Sequence, residues 1–341
     1  MKRREFVSAA GAGLAGLAVP RWGAVRRADR FVERWSWAMG QPVHLMVFAA
    51  SEQEGLDACA AALAELRRVE NHLTLFDDAS DLCELNRRAG QRAMRVDADL
   101  GAVVAAAERC RRATGGAFNA AVEPLMRTWG FHRPRTTAPS RQEVVEAREA
   151  VAAAVVEQTG DLVRLPSAHT QLDFGSIGVG YGIDRVLAVL RARGIARAFI
   201  DVSGDCAALG APPGEAGWPV GIASPGEPGR TIAQTRLRDA ALATAANTVS
   251  LVRYRGLVAG HVMNPATGWP AHTLRQASVV TRTATGADAL STALFVSGRR
   301  PAEVLWAYTV KRQRSRLAQE PSQGLAEHIR VALERRQHRE T

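Results

Sequence analysis

The chain has 341 residues, of which 47% are hydrophobic and 23% charged, and its formal net charge at pH 7 is +10. This composition is typical of a globular protein with a buried core, and no internal apolar run approaches the roughly 20 residues of a membrane span. The basic residues are scattered or gathered at the chain ends and do not alternate with aromatic residues, which argues against nucleic-acid binding. None of the four cysteines lies in a C-x-x-C pair, so zinc and iron–sulfur sites are not indicated. A disulfide between two of them stays possible in an oxidising compartment.

The first thirty residues have the architecture of an export signal. The stretch MKRREFVSAAGAGLAGLAVP begins with basic residues, continues with a weakly apolar segment and ends at Pro20, as secretory signals do. Its Arg3-Arg4-x-Phe6 core resembles a twin-arginine signal. We therefore predict a signal peptide and spacer over residues 1–30, and a periplasmic location for the mature chain.

Strands and helices are expected to alternate irregularly along the rest of the chain. The first half is expected to contain a strand over 35–49 interrupted at 40–42, a helix over 51–73, a short helix after a polar loop at 74–86, a helix over 100–113 and an irregular apolar segment over 117–131. A helix after the proline-rich loop from 133, a short strand over 162–166 and a glycine-rich turn and helix over 171–194 follow. The second half is expected to contain strands in RAFIDVSGD, WPVGIASP, TIAQTRL and QASVVT, a helix over 285–298, and two basic helices near the C-terminus. This order favours one α/β or α+β domain with a mixed sheet.

Three segments carry residues suited to phosphate and metal chemistry. The turn in LDFGSIGVGYGIDR leads into a helix, so its backbone can approach a phosphate, although it matches neither a Rossmann nor a Walker A motif. His261 precedes the rigid turn NPATG, which would hold a general base in position. Asp288 and Thr292 share one helix face and offer oxygens that suit Mg²⁺ or Ca²⁺. Each segment also has a structural interpretation: a tight connection, a hydrogen-bonded histidine, and a helix-capping aspartate with a packed threonine.

In chain order these segments resemble the ApbE family, the periplasmic FAD:protein FMN transferases, from about Trp35 to Gly298. The resemblance rests on MG at 39–40, LFDDASDLCELN at 75–86, GAFNAAVEPLMRTWGF at 116–131, LDFGSIGVGYGIDR at 172–185, SGD at 203–205, WPVGIASP at 218–225, LATAAN at 242–247, HVMNPATGWP at 261–270 and GADALSTALFVSG at 286–298. It implies an α+β fold, a single domain with mixed β-sheets flanked by helices over residues 31–300. A basic helical extension is expected over 301–341.

The resemblance implies an enzyme that cleaves FAD at a Mg²⁺-bound pyrophosphate and attaches FMN through a phosphoester to a threonine or serine of a partner flavoprotein. His261 matches the histidine that activates the acceptor hydroxyl. Asp288 and Thr292 match metal-binding positions, and a backbone carbonyl placed at Ser176 would complete the metal site. The positions that match FAD contacts are Met39, Phe76, Ala117, Phe118, Asn119, Asp173, Val179 and Val262. Phe76 would stack on the flavin ring.

Four positions depart from the family pattern. Val179 stands where a charged residue contacts the cofactor, Asn119 and Asn264 stand where aspartate is usual, and Ala245 lies in ATAAN where ATSGD is usual. Because the histidine and both metal side chains are present, we expect a divergent but active enzyme. The alternatives are a flavin-binding protein or assembly factor without transferase activity, a Mg²⁺-dependent FAD pyrophosphatase, and a periplasmic interaction domain without a cofactor.

The expected acceptor is a membrane-attached flavoprotein of a respiratory electron-transport system. The basic stretches VKRQRSRLAQ and LERRQHRE could meet an acidic partner or lipid headgroups. A solvated helix face is the more frequent role of such a stripe. No nucleic-acid partner and no transmembrane segment in the mature chain are expected.

Overall fold

The computed structural model describes residues 29–227, 229–248, 250–311 and 318–321. Residues 1–28 of the predicted signal peptide and spacer lie outside the described residues, as does most of the predicted C-terminal extension, and Arg30 already belongs to β1. The helices are α1 (Glu52–Leu73), α2 (Asp81–Arg87), α3 (Ala98–Ala113), α4 (Glu123–Thr128), α5 (Arg141–Ala152), α6 (Gly178–Ala192) and α7 (Ala284–Ser297). The strands are β1 (Arg30–Ala38), β2 (Gln41–Ala49), β3 (Met94–Arg95), β4 (Glu157–Thr159), β5 (Leu162–Arg164), β6 (Arg197–Val202), β7 (Asp205–Leu209), β8 (Trp218–Ala223), β9 (Thr231–Leu237), β10 (Ala240–Ala246), β11 (Leu251–Tyr254), β12 (Leu257–Gly260), β13 (Leu274–Thr281), β14 (Trp306–Lys311) and β15 (Ala318–Pro321).

An eight-stranded sheet with the order β1-β2-β6-β7-β10-β13-β14-β15 forms the centre of the fold. Each neighbouring pair in this sheet runs antiparallel. The prediction of an α+β fold is confirmed, but the prediction of a mixed sheet is wrong. Strand direction depends on how the chain returns to the sheet, and neighbours such as β1 and β2, or β6 and β7, return directly through short turns that only antiparallel pairs can use.

The chain continues into the sheet beyond the predicted domain boundary at residue 300. Strand β14 contributes Trp306, Tyr308 and Val310 to one buried cluster, and β15 pairs with it. The prediction of helix is therefore wrong at 306–311 and at 318–321. The basic residues that follow β14 suggested a helix, whereas the alternating aromatic and β-branched residues before them favour a strand. Residues 301–305 of the predicted extension form a turn before β14, and residues 312–317 and 322–341 lie outside the described part of the chain.

Helices cover one face of the sheet and a hairpin covers the other. On the helix side, α1, α6 and α7 enclose a core with the sheet residues Val43, Leu45 and Ile200. On the opposite side, the β8–β9 hairpin places the Trp218 ring against Phe48 and Phe199, with ring centroids 5.9 and 5.6 Å apart. Among the described residues, no helix is both long enough and apolar enough to cross a membrane.

A smaller cluster around Trp129 joins α4 and α5 to the β11–β12 hairpin. The indole N–H of Trp129 donates to the Gly268 carbonyl at 2.8 Å, and the Tyr254 hydroxyl donates to the Trp129 carbonyl at 2.6 Å. Trp129 thereby connects the irregular segment at 117–131 with the turn that follows His261. Two regions that are far apart in the sequence are thus held together.

The four cysteines are free, buried or half-buried thiols and form no disulfide. All four are free, with Cys59 and Cys206 buried and Cys83 and Cys110 half-buried. Burial raises the pKa of Cys59 and of Cys110 to about 11. Thiols in such surroundings are protonated at neutral pH and unreactive.

Two glycines near the start of α6, Gly180 and Gly182, are required by packing. A methyl group at Gly180 would lie 2.8 Å from Cβ of Asp288 and closer still to the Ala284 carbonyl on α7. A methyl group at Gly182 would lie 2.7 Å from the side chains of both Leu66 and Met39. The absence of these side chains lets α6 approach α7 and α1 closely.

We predict that Gly180→Ala destabilises the fold by about 1–3 kcal/mol, because the added methyl group meets backbone atoms that cannot move aside. The control is Gly101→Ala in α3, where the nearest atoms would be 3.4 and 3.5 Å away. That change should be neutral or stabilising by up to about 1 kcal/mol through helix propensity. Urea unfolding of both variants makes the comparison, and equal midpoints would contradict the packing argument.

Candidate active site

Reciprocal capping joins the N-terminal ends of α6 and α7. The Asp184 carboxylate on α6 accepts hydrogen bonds from the backbone N–H groups of Ala284 and Thr285 at 2.8 and 2.9 Å. In return, Asp288 Oδ2 on α7 accepts one from the N–H of Gly180 at 3.0 Å. The side chain of Asp288 is thereby fixed beside the first turn of α6.

This arrangement leaves three oxygen atoms without a protein partner. In a regular helix the N–H of Gly180 would bond the carbonyl of Ser176, but Asp288 takes that N–H, and no described residue donates to the Ser176 carbonyl. Within the described part of the chain, Asp288 Oδ1 and the Thr292 hydroxyl also form no hydrogen bond. All three are hard oxygen donors of the kind that Mg²⁺ prefers.

The predicted metal-site residues therefore fit a divalent cation. No group of three or more His, Cys, Asp or Glu side chains in the described residues could hold a metal. A cation here would depend on one carboxylate, one hydroxyl and one backbone carbonyl from the protein. Water or phosphate oxygens would have to complete its coordination, as is usual for protein-bound Mg²⁺.

Asp205 is a second acidic residue at this position, and sequence reasoning assigned it no role. Burial raises the pKa of Asp205 to about 7. Burial also raises the pKa of Asp288 well above its usual range, and the charge of Asp205 adds to this effect. The signal in the sequence was the SGD segment at 203–205, which places an acidic residue at the start of a buried strand.

His261 lies directly after β12, and its backbone N–H donates to the Ser250 carbonyl at 3.2 Å. The ring is half-buried, and its Nδ1 has no hydrogen-bond partner in the described structure. Burial lowers the pKa of His261, against the opposing effects of the Ser250 carbonyl and the Asp173 charge. A lowered pKa favours the neutral imidazole, which is the form that accepts a proton.

Asn247 holds the segment that carries His261. Its Nδ2 donates to the carbonyls of Val262 and Ala271 at 3.3 and 3.0 Å, and its Oδ1 accepts from the Val262 N–H at 2.8 Å. The side chain therefore uses both its donor and its acceptor atoms. An aspartate could not make the two donor contacts.

The structure contains a polar cluster that sequence reasoning missed. His132 lies with Nε2 3.5 Å from Asp173 Oδ2 and Nδ1 3.8 Å from Glu123 Oε1. The Phe76 ring, which is 83% exposed, meets the His132 ring edge-on at a centroid distance of 5.8 Å. Of the predicted cofactor residues, Phe76 and Asp173 are thus brought together by a histidine about 40 or more residues from either in the sequence.

The other predicted cofactor residues occupy different surroundings. The Phe118 side chain is fully buried in the core, so only its backbone is left for a ligand. Val262 is likewise buried in the helix-side core, and Ala117 and Val179 are partly buried against it. Met39 occupies the β1–β2 turn with a φ of 54°, and its side chain packs over Gly182.

Three of the four departures from the family pattern keep a local role in this chain. Asn119 Oδ1 accepts the N–H of Ala121 at 2.9 Å, and Asn264 Oδ1 accepts that of Ala266 at 2.9 Å. An aspartate would offer the same acceptor in either turn. Ala245 is buried in the helix-side core, where a small apolar residue packs well. Only Val179 offers no polar replacement for the charged residue that the resemblance implies.

The α+β fold and the hard-oxygen donors are those of a protein suited to phosphate and metal chemistry, and comparison with known proteins gives its family. The model of the ApbE family matches residues 39–313, so the chain belongs to the ApbE family. The chain is 31% identical over 259 residues to the FAD:protein FMN transferase of Treponema pallidum, covering 70% of this chain and 72% of that protein. It is 25% identical over 275 residues to the FAD:protein FMN transferase of Klebsiella pneumoniae, covering 76% and 80%.

Solved structures agree with this assignment. The ApbE protein of Thermotoga maritima matches with a TM-score of 0.76 at 25% identity, covering 86% of this chain and 97% of that one. The flavinyl transferase ApbE of Pseudomonas stutzeri, at 23% identity and a TM-score of 0.73, shares the fold over 86% of this chain and 95% of its own. The predictions of the ApbE family, of an α+β fold and of an enzyme of the transferase class are confirmed.

We predict that Asn247→Asp destabilises the protein by about 1–3 kcal/mol, because a carboxylate would face two carbonyl oxygens in place of an amide donor. The loss should be larger than that of Thr248→Ala at the exposed neighbouring position. Thermal unfolding of both variants provides the measurement. If Asn247→Asp has the same Tm as the native protein, the amide donors of Asn247 are not what holds the His261 segment.

Proposed function

We propose that the protein is a periplasmic FAD:protein FMN transferase that attaches FMN to a threonine or serine of a partner flavoprotein. The observation that carries the proposal is the contact between Asp288 and the Gly180 N–H. It takes the N–H that would otherwise bond the Ser176 carbonyl, so unpartnered hard oxygens remain in the turn before α6 and on α7, in a chain whose His261 has a lowered pKa. Such a set is suited to phosphoryl chemistry, in which charge on phosphate oxygens must be neutralised.

The protein residues divide this chemistry between them. Ser176, Asp288 and Thr292 would hold Mg²⁺, and the ion would neutralise charge on the FAD pyrophosphate. His261 would remove the proton from the acceptor hydroxyl, which is a weak nucleophile until a base acts on it. The acceptor oxygen then bonds to the FMN phosphorus, the pyrophosphate bond breaks, and AMP leaves. The exposed Phe76 ring would provide a face for the flavin.

The location and the partner belong to the same proposal. The twin-arginine-like start of the sequence supports export to the periplasm. A transferase in that compartment needs an acceptor with a hydroxyl facing the same side. We propose a membrane-attached flavoprotein of a respiratory electron-transport system as this acceptor.

A transfer assay tests the proposal directly. The mature protein, FAD and Mg²⁺ are mixed with a flavoprotein domain that carries an acceptor threonine, and the denatured acceptor is weighed by mass spectrometry. We expect an added FMN with the native protein, and a loss of about 100-fold or more in rate with His261→Ala or Asp288→Ala. Asp57→Asn, an exposed change on the outer face of α1, serves as the matched control and should keep native activity.

Two outcomes would overturn the proposal. Release of AMP without an adduct would indicate an FAD pyrophosphatase, with water in place of the acceptor hydroxyl. Bound flavin with neither AMP nor an adduct would indicate a flavin-binding protein. Equal activity of Asp57→Asn and Asp288→Ala would remove the metal site from the mechanism.

The pH dependence of transfer provides a separate prediction. Because burial lowers the pKa of His261, its neutral form persists below the ordinary histidine value of about 6.5. We expect kcat to fall on the acid side with a midpoint below about 6.5. A profile of kcat between pH 4.5 and 8 at saturating FAD and acceptor measures it, and an acid limb above that value would contradict the assignment of the base.

A further inference from the structure

His132 is enclosed by charged groups that the proposed reaction does not use. Glu123 and Arg127 approach it from α4, and Asp173 approaches it from the segment before α6. The side chains of His132, Glu123 and Asp173 are only 17%, 11% and 9% exposed. Within the described structure, His132 Nδ1 and Glu123 Oε2 are buried without a hydrogen bond of good geometry.

The charge balance of this cluster favours a cation at His132. Arg127 pairs with Glu123 at 2.9 Å, whereas the cationic partner that the described residues offer Asp173 is the His132 imidazole. Removing a carboxylate from water without a compensating charge is costly. A protonated His132 offers an N–H to each carboxylate and neutralises the excess negative charge.

The cluster is also in contact with the candidate active site. Asp173 Oδ1 accepts the Gly175 N–H at 2.7 Å, at the start of the glycine-rich turn. The charge of Asp173 acts on His261 as well as on His132. The exposed Phe76 ring rests edge-on against His132. One imidazole therefore touches both the carboxylate that biases His261 and the aromatic ring proposed for the flavin.

We propose that His132 is a positioning residue: an imidazolium held between Glu123 and Asp173 that limits the field of Asp173 at His261 and supports the Phe76 ring. The proposal rests on the proposed function only for its kinetic consequence. Its structural content, a charged histidine beside a neutral one, concerns the protein alone.

The ionisation of the two histidines supports this geometry. Burial alone would lower the pKa of His132, but the nearby Glu123 and Asp173 carboxylates outweigh burial and raise it. The same Asp173 charge does not outweigh burial at His261, whose pKa is lowered. Two titratable groups with pKa values pushed apart are typical of sites that divide acid and base roles.

The first test uses the protein without flavin or acceptor. Histidine ring signals are followed by NMR between pH 4.5 and 9 and assigned through His132→Gln and His261→Gln. We expect His132 to titrate above about 6.5 and His261 below it. In His132→Gln the His261 midpoint should rise by about half a pH unit or more, because the Asp173 charge is no longer compensated.

Two further variants keep the test decisive. Glu123→Gln removes one carboxylate and should lower the His132 midpoint, which provides the result if His132→Gln does not fold. In an Asp173→Asn background, His132→Gln should move His261 much less than in the native protein, since the two changes act through one carboxylate. The proposal is wrong if His132 titrates below 6.5, or if His261 does not respond to His132→Gln.

The second test measures kinetics and separates positioning from mere structural support. In His132→Gln the acid limb of kcat should move to higher pH by the same half unit or so, with weaker flavin binding in a fluorescence titration. His169→Gln, the same change at an exposed histidine, should move neither. A lower kcat with an unmoved limb would indicate a structural role only. Absence of transfer in the native protein would remove the proposed function and leave the NMR result standing.

Discussion

The contact between the Asp288 carboxylate and the Gly180 N–H is the interaction on which the site depends. It requires a glycine, because a side chain at Gly180 would collide with α7. It also requires a buried carboxylate. The matching contact from Asp184 to the start of α7 makes the arrangement reciprocal, so that neither helix end can shift alone. Both helices then rest on the same antiparallel sheet, which fixes their mutual position.

The cost of this arrangement lies in buried charge. Asp288, Asp205 and Asp173 are all withdrawn from water within one region, and each needs a counter-charge or a proton. For Asp173 the structure supplies an imidazole. For Asp288 it supplies a single N–H, which leaves the carboxylate under-compensated until a cation or a proton arrives. An uncompensated buried acid is what a cation site needs, and burial raises the pKa values of Asp205 and Asp288.

Sequence spacing predicted the part of the site that lies on single elements. The four-residue separation of Asp288 and Thr292 placed them on one helix face, and the helices predicted over 51–73 and 100–113 agree with α1 and α3 to within two residues. Contacts between distant segments were not predictable in this way. His132 lies in an irregular stretch without periodicity, and nothing in its neighbourhood indicates that it meets Asp173. The direction of the strands was not predictable from the sequence either. The basic residues after β14 led to a prediction of helix in spite of the alternating pattern of β14 itself.

The departures from the family pattern look different once the contacts are known. Next to Ala245 in the ATAAN segment, the amide of Asn247 makes three hydrogen bonds that an aspartate could not make together. Asn119 and Asn264 serve as turn acceptors, a role that does not depend on charge. The local backbone contacts are kept, and the ionisation of the two histidines is set by burial together with the charges that face them: Glu123, Asp173 and Arg127 at His132, and Asp173 at His261.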